Sequence, residues 1–473
     1  MTILVSRSQD SFYDDYNNFL KEAREEYNTF REEANKAYAE FLTAPWEPVK
    51  LQELEKPQEN TRPPRPLEDE DENRDDYAFK YNNVVRPTPP KPQPMPVDPI
   101  VVKPQSSDKW ISFNYLGNRD SVRIPSVNQI NVRDLSENGI SSSWRELSKG
   151  SFDATLSDCL ALRTKYNLPD WGYLNLLDIV AGKIFANNKN AATLLTSWLY
   201  SQSGYQMRLA SEGADALVMM FATDHVIYGS YYKLDGTNYY PFKSNPKSIN
   251  LSHASFPNEK LMSLVLTSLP KTSCQLSGPR TRQSKRYPDM IYDLAVDENL
   301  IEFFDTYPNS QIGQDMMTRW AIYANTPLSQ EVNEQLYPKL LEHLSPLSER
   351  DKVEHILNWV QTGFEYEYDS KVWGGDRAFF PDETIYYPYS DCEDRAILFT
   401  RLIRDLVGLD AILVCYPNHL SSAVAFNGSE EGDYIMLNGR KFTVCDPTYI
   451  NAPVGRTAKE FDNSSATVIL LNR

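Results

Sequence analysis

A helix that stops at glycine and hands over to a buried strand occurs twice in this chain, and the two copies can be laid on each other without a gap. Asn190–Leu209 matches Asp394–Leu413 at an offset of 204, with Gly204 falling on Gly408. Downstream, Lys233-Leu234-Asp235-Gly236-Thr237 and Met436-Leu437-Asn438-Gly439-Arg440 both read as one strand turning into its antiparallel partner, at an offset of 203. Asp-Gly and Asn-Gly supply the positive φ that such tight turns need. A helix followed by antiparallel strands, met twice, fixes the class as α+β and points to a diverged internal duplication. The alternative is that any helix–glycine–strand unit ending in a hairpin shares these features. At the offset of 204, Cys392 falls on Asn188, so only the second copy has a nucleophile there.

The second copy opens on Ser390-Asp391-Cys392-Glu393-Asp394-Arg395-Ala396. Ala396, Phe399, Ile403 and Leu406 follow Cys392 at helical spacing. Ser390 or Asp391 can cap this helix, and its unpaired N–H groups and dipole favour a thiolate at Cys392. A helix of about 15 residues carries the chain roughly 22 Å away. The apolar strand Leu409–Tyr416 returns it by roughly 26 Å, and His419 lands level with Cys392. The strand after Asn438-Gly439 then brings in Asp446 on the face of Phe442 and Val444, where a carboxylate needs a partner such as an imidazole N–H. Cys392 is therefore the expected nucleophile, His419 the proton acceptor and donor, and Asp446 the group that orients His419. The Cys392 amide is one expected oxyanion donor, and Trp373, Tyr387 and Tyr389 are candidates for a second.

Ser390-Asp-Cys392-Glu-Asp-Arg-Ala, Tyr416-Pro-Asn-His419 and Val444-Cys-Asp446-Pro-Thr-Tyr resemble the three core motifs of transglutaminase-like proteins of the papain-like superfamily. That group includes animal transglutaminases, peptide N-glycanases and many bacterial proteins thought to be cysteine peptidases. The likeness covers residues 350–455. It implies a papain-like core, with the cysteine at a helix N-terminus packed on an antiparallel sheet, and a thioester intermediate formed from a protein or peptide substrate. Hydrolysis, as by a peptidase or amidase, is favoured over the amine transfer of a cross-linking transglutaminase. A non-enzymatic binding or scaffold protein with a vestigial triad is the third reading. The chain departs from the family at two points: Tyr389-Ser390 stands where Gly commonly precedes the cysteine region, and Leu420-Ser421-Ser422 where an aromatic commonly follows the histidine.

The rest of the chain narrows the function by exclusion. A formal net charge of -17 argues against nucleic-acid binding and against an anionic-membrane surface. No run of 18 apolar residues exists to span a membrane. There is no C-x-x-C pair, no H-E-x-x-H and no calcium-loop pattern, so neither a metal nor a cofactor is expected. His225, His253, His343 and His355 are expected to be solitary structural residues. Cys159, Cys274 and Cys415 are expected as small buried hydrophobes, and Cys445 as inert and not bridged to Cys415. Met1-Thr2-Ile3-Leu4-Val5 is too short for a signal-peptide core, which implies a cytoplasmic protein, or an exported, periplasmic one if the true start lies upstream.

Five divisions are expected. Residues 1–46 carry an amphipathic helix, whose aromatic seam over 8–46 suits a partner helix or the protein's own body. Residues 47–108 are a Pro-rich acidic linker, extended and partly disordered. A degenerate transglutaminase-like domain occupies 109–245, a β-rich connecting region with a basic loop at Arg280–Arg286 occupies 246–325, and the catalytic domain occupies 326–473.

Overall fold

The computed structural model describes residues 21–22, 25–68, 76–87, 102–125, 130, 132, 134–458 and 465–472. The chain is α+β and divides into two compact units. One comprises Met1–Glu53, Pro92–Asp224 and Ser230–Ser263; the other comprises Leu54–Lys91, His225–Gly229 and Leu264–Arg473. Among the described residues, no helix is long and apolar enough to cross a membrane.

In the first unit the N-terminal helix is seen over residues 25–41. The part expected over 8–20 lies outside the described residues. Tyr38, Ala39 and Leu42 are buried, with the Tyr38 ring 4.4 Å from that of Trp144. Asn35 accepts from the Trp144 indole and donates to Gln202, so this seam packs on the unit's own body. Four helices follow, Glu137–Leu147, Asp153–Lys165, Asp170–Ile184 and Lys189–Gln202. Ser136 and Asn188 cap the first and last through their side-chain oxygens. Gly204, at φ +88°, ends the last helix where a side chain would strain. The chain then enters a seven-stranded sheet in the order Glu47–Lys50, Ser248–Leu251, Met207–Glu212, Ala216–Thr223, Thr237–Pro241, Gly229–Leu234, Gln52–Leu54.

The second unit has its own seven-stranded sheet, in the order Asn83–Val85, Thr467–Leu470, Asp410–Tyr416, His419–Ala425, Arg440–Cys445, Tyr434–Leu437, Ala78–Phe79. Ile412, Val414, Ala423, Ala425, Phe442 and Val444 make one face of it a continuous apolar core. This order is that of the first sheet, strand for strand. In each, the strand after the helix-ending glycine pairs with its successor, and then come the two arms of the Asp-Gly or Asn-Gly hairpin. A later strand lies on the other flank, and segments from the N-terminal part of the chain form both rims.

Three expectations change. The Pro-rich stretch is extended, but its described residues 54–68 and 76–87 are not a free spacer. Asn83–Val85 and Ala78–Phe79 form the rims of the second sheet, pairing in parallel with Thr467–Leu470 and Tyr434–Leu437, and Arg65–Pro66 pairs with Tyr449–Ile450. Proline is tolerated in such places because an edge strand needs hydrogen bonds on one side only. Second, the basic loop is a strand: Arg280–Gln283 pairs with Ile291–Leu294. Arg282 is buried there, donating to the carbonyls of Ile385 and Tyr387, and burial pulls its pKa down to about 10. Within the region expected to be β-rich, the run Leu261–Leu269 holds one isolated bridge, Met262 to Thr223, and no strand. Third, Cys274 is exposed rather than buried, while the other four cysteines are buried and all five are free.

Candidate active site

The helix Cys392–Leu402 starts where a chain of polar contacts fixes its first turn. Asp391 caps it by accepting from the Asp394 amide, and Asp394 returns the bond by accepting from the Asp391 amide at 3.1 Å. Asp394 also accepts from the Phe379 amide at 2.9 Å. Arg395, fully buried, donates to the carbonyls of Gln361 and Phe364 and to Ser390, which locks the turn from behind. A π-helical turn, Ile403–Val407, closes the helix at Gly408. The strands Asp410–Tyr416 and His419–Ala425 then run back antiparallel, with Tyr416 opposite His419.

His419 and Asp446 are brought together, both buried, with His419 Nε2 2.9 Å from Asp446 Oδ2. The other carboxylate oxygen accepts from the amide and the hydroxyl of Thr448, at 2.9 and 2.8 Å. Burial alone would raise the Asp446 carboxyl. The attraction and hydrogen bond of His419, with the two bonds from Thr448, outweigh it and hold the group below its ordinary value. An ionised Asp446 means that Nε2 carries the proton and donates it, which leaves the chemistry of the ring to Nδ1. Gln361 secures the Asp446 turn by donating to the carbonyls of Asp446, Tyr449 and Ala452.

Cys392 is fully buried at the same end of the sheet, and its sulfur receives the backbone N–H of Leu420, the residue after His419. Its thiol lies 3.0 Å from Glu393 Oε2. The expected thiolate is not what these surroundings favour: burial, then the Glu393 and Asp391 carboxyls, push the thiol well above its ordinary pKa. The reason is local: burial disfavours the thiolate first, and Glu393 and Asp391 then add like charge beside the sulfur.

Sequence reasoning missed this acidic cluster, although Asp391-Cys-Glu-Asp394 carries it in plain view. Carboxylate oxygens of Asp369, Asp376 and Glu393 lie within 4.8 Å of one another, as do donor atoms of Asp391, Cys392 and Glu393. Among the described residues these are the two groups spaced to hold a metal ion, and the first offers the hard oxygen donors that magnesium and calcium take. Burial, followed by the charge of Glu393, raises Asp369 to about 8 and Asp376 to about 7, so the cluster shares protons rather than ionising as a whole.

The proposed second oxyanion donors are placed elsewhere. Trp373 and Tyr387 pack edge to face at 4.7 Å around the Arg377 guanidinium, and the Tyr387 hydroxyl donates to Asp305 at 3.0 Å. Tyr389 is exposed. Tyr366 is the tyrosine whose phenol feels Cys392, and burial and then that thiol raise its pKa. A 330 Å³ cavity is lined by Tyr323, Trp373, Arg377, Phe380 and Glu383.

The histidines expected to be solitary are not all so. His343 Nε2 lies 2.9 Å from His355 Nδ1, and Tyr287 stacks on His355 at 3.5 Å. His253 pairs with Glu47 at 2.9 Å. No known family model matches the chain, and no curated protein or solved structure matches it.

Proposed function

We propose that the chain is a cysteine-dependent acyl-transfer enzyme acting on peptide or amide bonds, built on a transglutaminase-like, papain-like core in its second unit. The observation that carries this reading is the buried His419–Asp446 pair, one residue from the amide that bonds to the Cys392 sulfur. Cys392 attacks the carbonyl carbon while His419 takes the thiol proton on Nδ1. The C–N bond then breaks as His419 returns that proton to the leaving amine, and a thioester remains. Water adds to the thioester, giving its proton to His419, and the carboxylic acid leaves as the thiol is restored. Asp446 holds the ring in the tautomer both halves need. The Cys392 amide serves the oxyanion.

Water is favoured over an amine as acceptor on the strength of the motif resemblance. The matched strand order of the two sheets supports the first unit as a degenerate copy of the same module. The alternative, a scaffold with a vestigial triad, draws support from the raised thiol. One experiment separates the three: incubate the protein with a glutamine-containing protein and a fluorescent amine, and compare it with Cys392→Ala. Cys392-dependent cleavage supports hydrolysis, Cys392-dependent amine incorporation supports cross-linking, and neither supports the scaffold.

A further inference from the structure

We propose that residues 59–66 are a built-in occupant of the acyl-donor groove, an intrachain strap that withholds Cys392 from substrate until it is displaced. This rests on the reading of Cys392 as a nucleophile and adds how that site is regulated. The strap meets all three catalytic segments. Asn60 is buried, and its side chain donates to Glu393 Oε2 at 2.9 Å, the same oxygen that lies 3.0 Å from the Cys392 sulfur. The Arg62 amide donates to the carbonyl of Asn418, next to His419, at 3.3 Å, while the Arg62 carbonyl accepts from Tyr366 at 3.1 Å. Arg65–Pro66 adds a parallel strand to Tyr449–Ile450, just beyond Asp446, and the Leu67 amide continues it to Ile450 at 2.9 Å.

A carbonyl carbon must come within about 3.5 Å of the sulfur to react, and Cys392 has no exposed surface. The strap is nonetheless built to leave. Asn60 is the one buried residue between Gln52 and Glu68, so the anchorage is hydrogen bonds rather than core packing. Pro63 and Pro64 pre-set an extended backbone, which lowers the cost of docking it. The groove therefore takes an extended polypeptide through main-chain bonds to the Asn418 carbonyl and to Tyr449–Ile450, and the strap holds that place.

The test is the rate of Cys392 alkylation by iodoacetamide in the full chain, read by mass spectrometry. Exposed Cys274 serves as the reactive reference, and buried Cys159 and Cys445 report unfolding. Asn60→Ala with Arg62→Pro removes the two strap hydrogen bonds to Glu393 and Asn418, beside Cys392 and His419, and should speed Cys392 labelling about 30-fold, the effect of losing two bonds of ordinary strength, with Cys159 and Cys445 unchanged. Unchanged Cys392 labelling overturns the proposal. If all buried cysteines rise together, the wild-type chain decides: in sub-denaturing urea, Cys392 labelling must show a weaker urea dependence than Cys159 and Cys445, and an equal dependence also overturns it. Amide turnover separates this proposal from the reading it rests on. Release of Cys392 without turnover sinks the enzyme and leaves the strap standing. Wild-type turnover as fast as the strap variant's sinks the strap alone.

Discussion

The two units share a sheet order and a helix that delivers the chain to it, yet one carries a buried His419–Asp446 pair with Cys392 at its helix start and the other has no such residues at the matching positions. Asn188 caps its helix as Asp391 caps the other, which makes Lys189 the counterpart of Cys392. The Asp235-Gly236 and Asn438-Gly439 turns, with positive φ at both residues of each, fix the hairpins in the same register. Carried across the ladders, that register sets Ala216 against His419 and Lys243 against Asp446. The fold thus does not depend on Cys392, His419 and Asp446: what holds the sheets is apolar alternation and two left-handed glycines in each unit.

The sharpest way to break this comparison is turnover. Cys392→Ala should lower kcat by about 10⁴-fold or more, and Lys189→Ala should leave it unchanged; an equal loss in Lys189→Ala would give the first unit a part in catalysis. Stability comes next. In the first unit Arg163 and Asp170 form a buried pair at 2.6 Å, and Arg163→Ala should cost about 4 kcal/mol by leaving buried Asp170 without a cation, with only the Tyr205 hydroxyl and the Ser263 amide to satisfy it. In the second unit, Gln361→Ala removes its bonds to three carbonyls, of which those of Asp446 and Tyr449 keep the amides of Tyr449 and Ala452, and should cost about 2 kcal/mol. Urea unfolding followed by the cysteine labels of each unit would show whether each change stays within its own unit.

Smaller and more symmetrical is the glycine pair. A Cβ at Gly204 or Gly408 meets no atom within 4 Å, so alanine should cost about 1 kcal/mol at each position from backbone strain alone. Unequal costs would show that the two helix ends are not equivalent. The last effect is full at neutral pH and vanishes in acid. Asp446 is depressed in the folded state, so its contribution is complete above its unfolded value of 3.8 and is lost as pH falls through the lower folded value. The stability gap between wild type and Asp446→Asn should therefore narrow in acid, measured by urea midpoints from pH 5 to pH 2. A constant gap would mean that the carboxylate is not paired with His419.

The pairing of His419 with Asp446 was legible because each sits at a countable distance from a glycine or a tight turn, and helix and strand rises convert counts to ångströms. Assignment of Asn188 to Cys392 was one residue off for a physical reason. The π-turn Ile403–Val407 inserts one residue before Gly408, so an alignment anchored on the glycine slips at the helix start. The strap was illegible because proline and charge mark it as spacer, and its key bond joins residues 333 apart. The state of Cys392 was misread because a helix terminus was weighed without the burial and the neighbouring acids that oppose the thiolate.

The rims of the second sheet place a demand on synthesis. The Tyr77 amide bonds to Asp433, 356 positions later. At about 5–20 residues per second, a ribosome takes roughly 20 to 70 s to make that partner. The early strands must wait that long, unpaired, and the proline and acid that line them are the features that keep a solitary edge from aggregating.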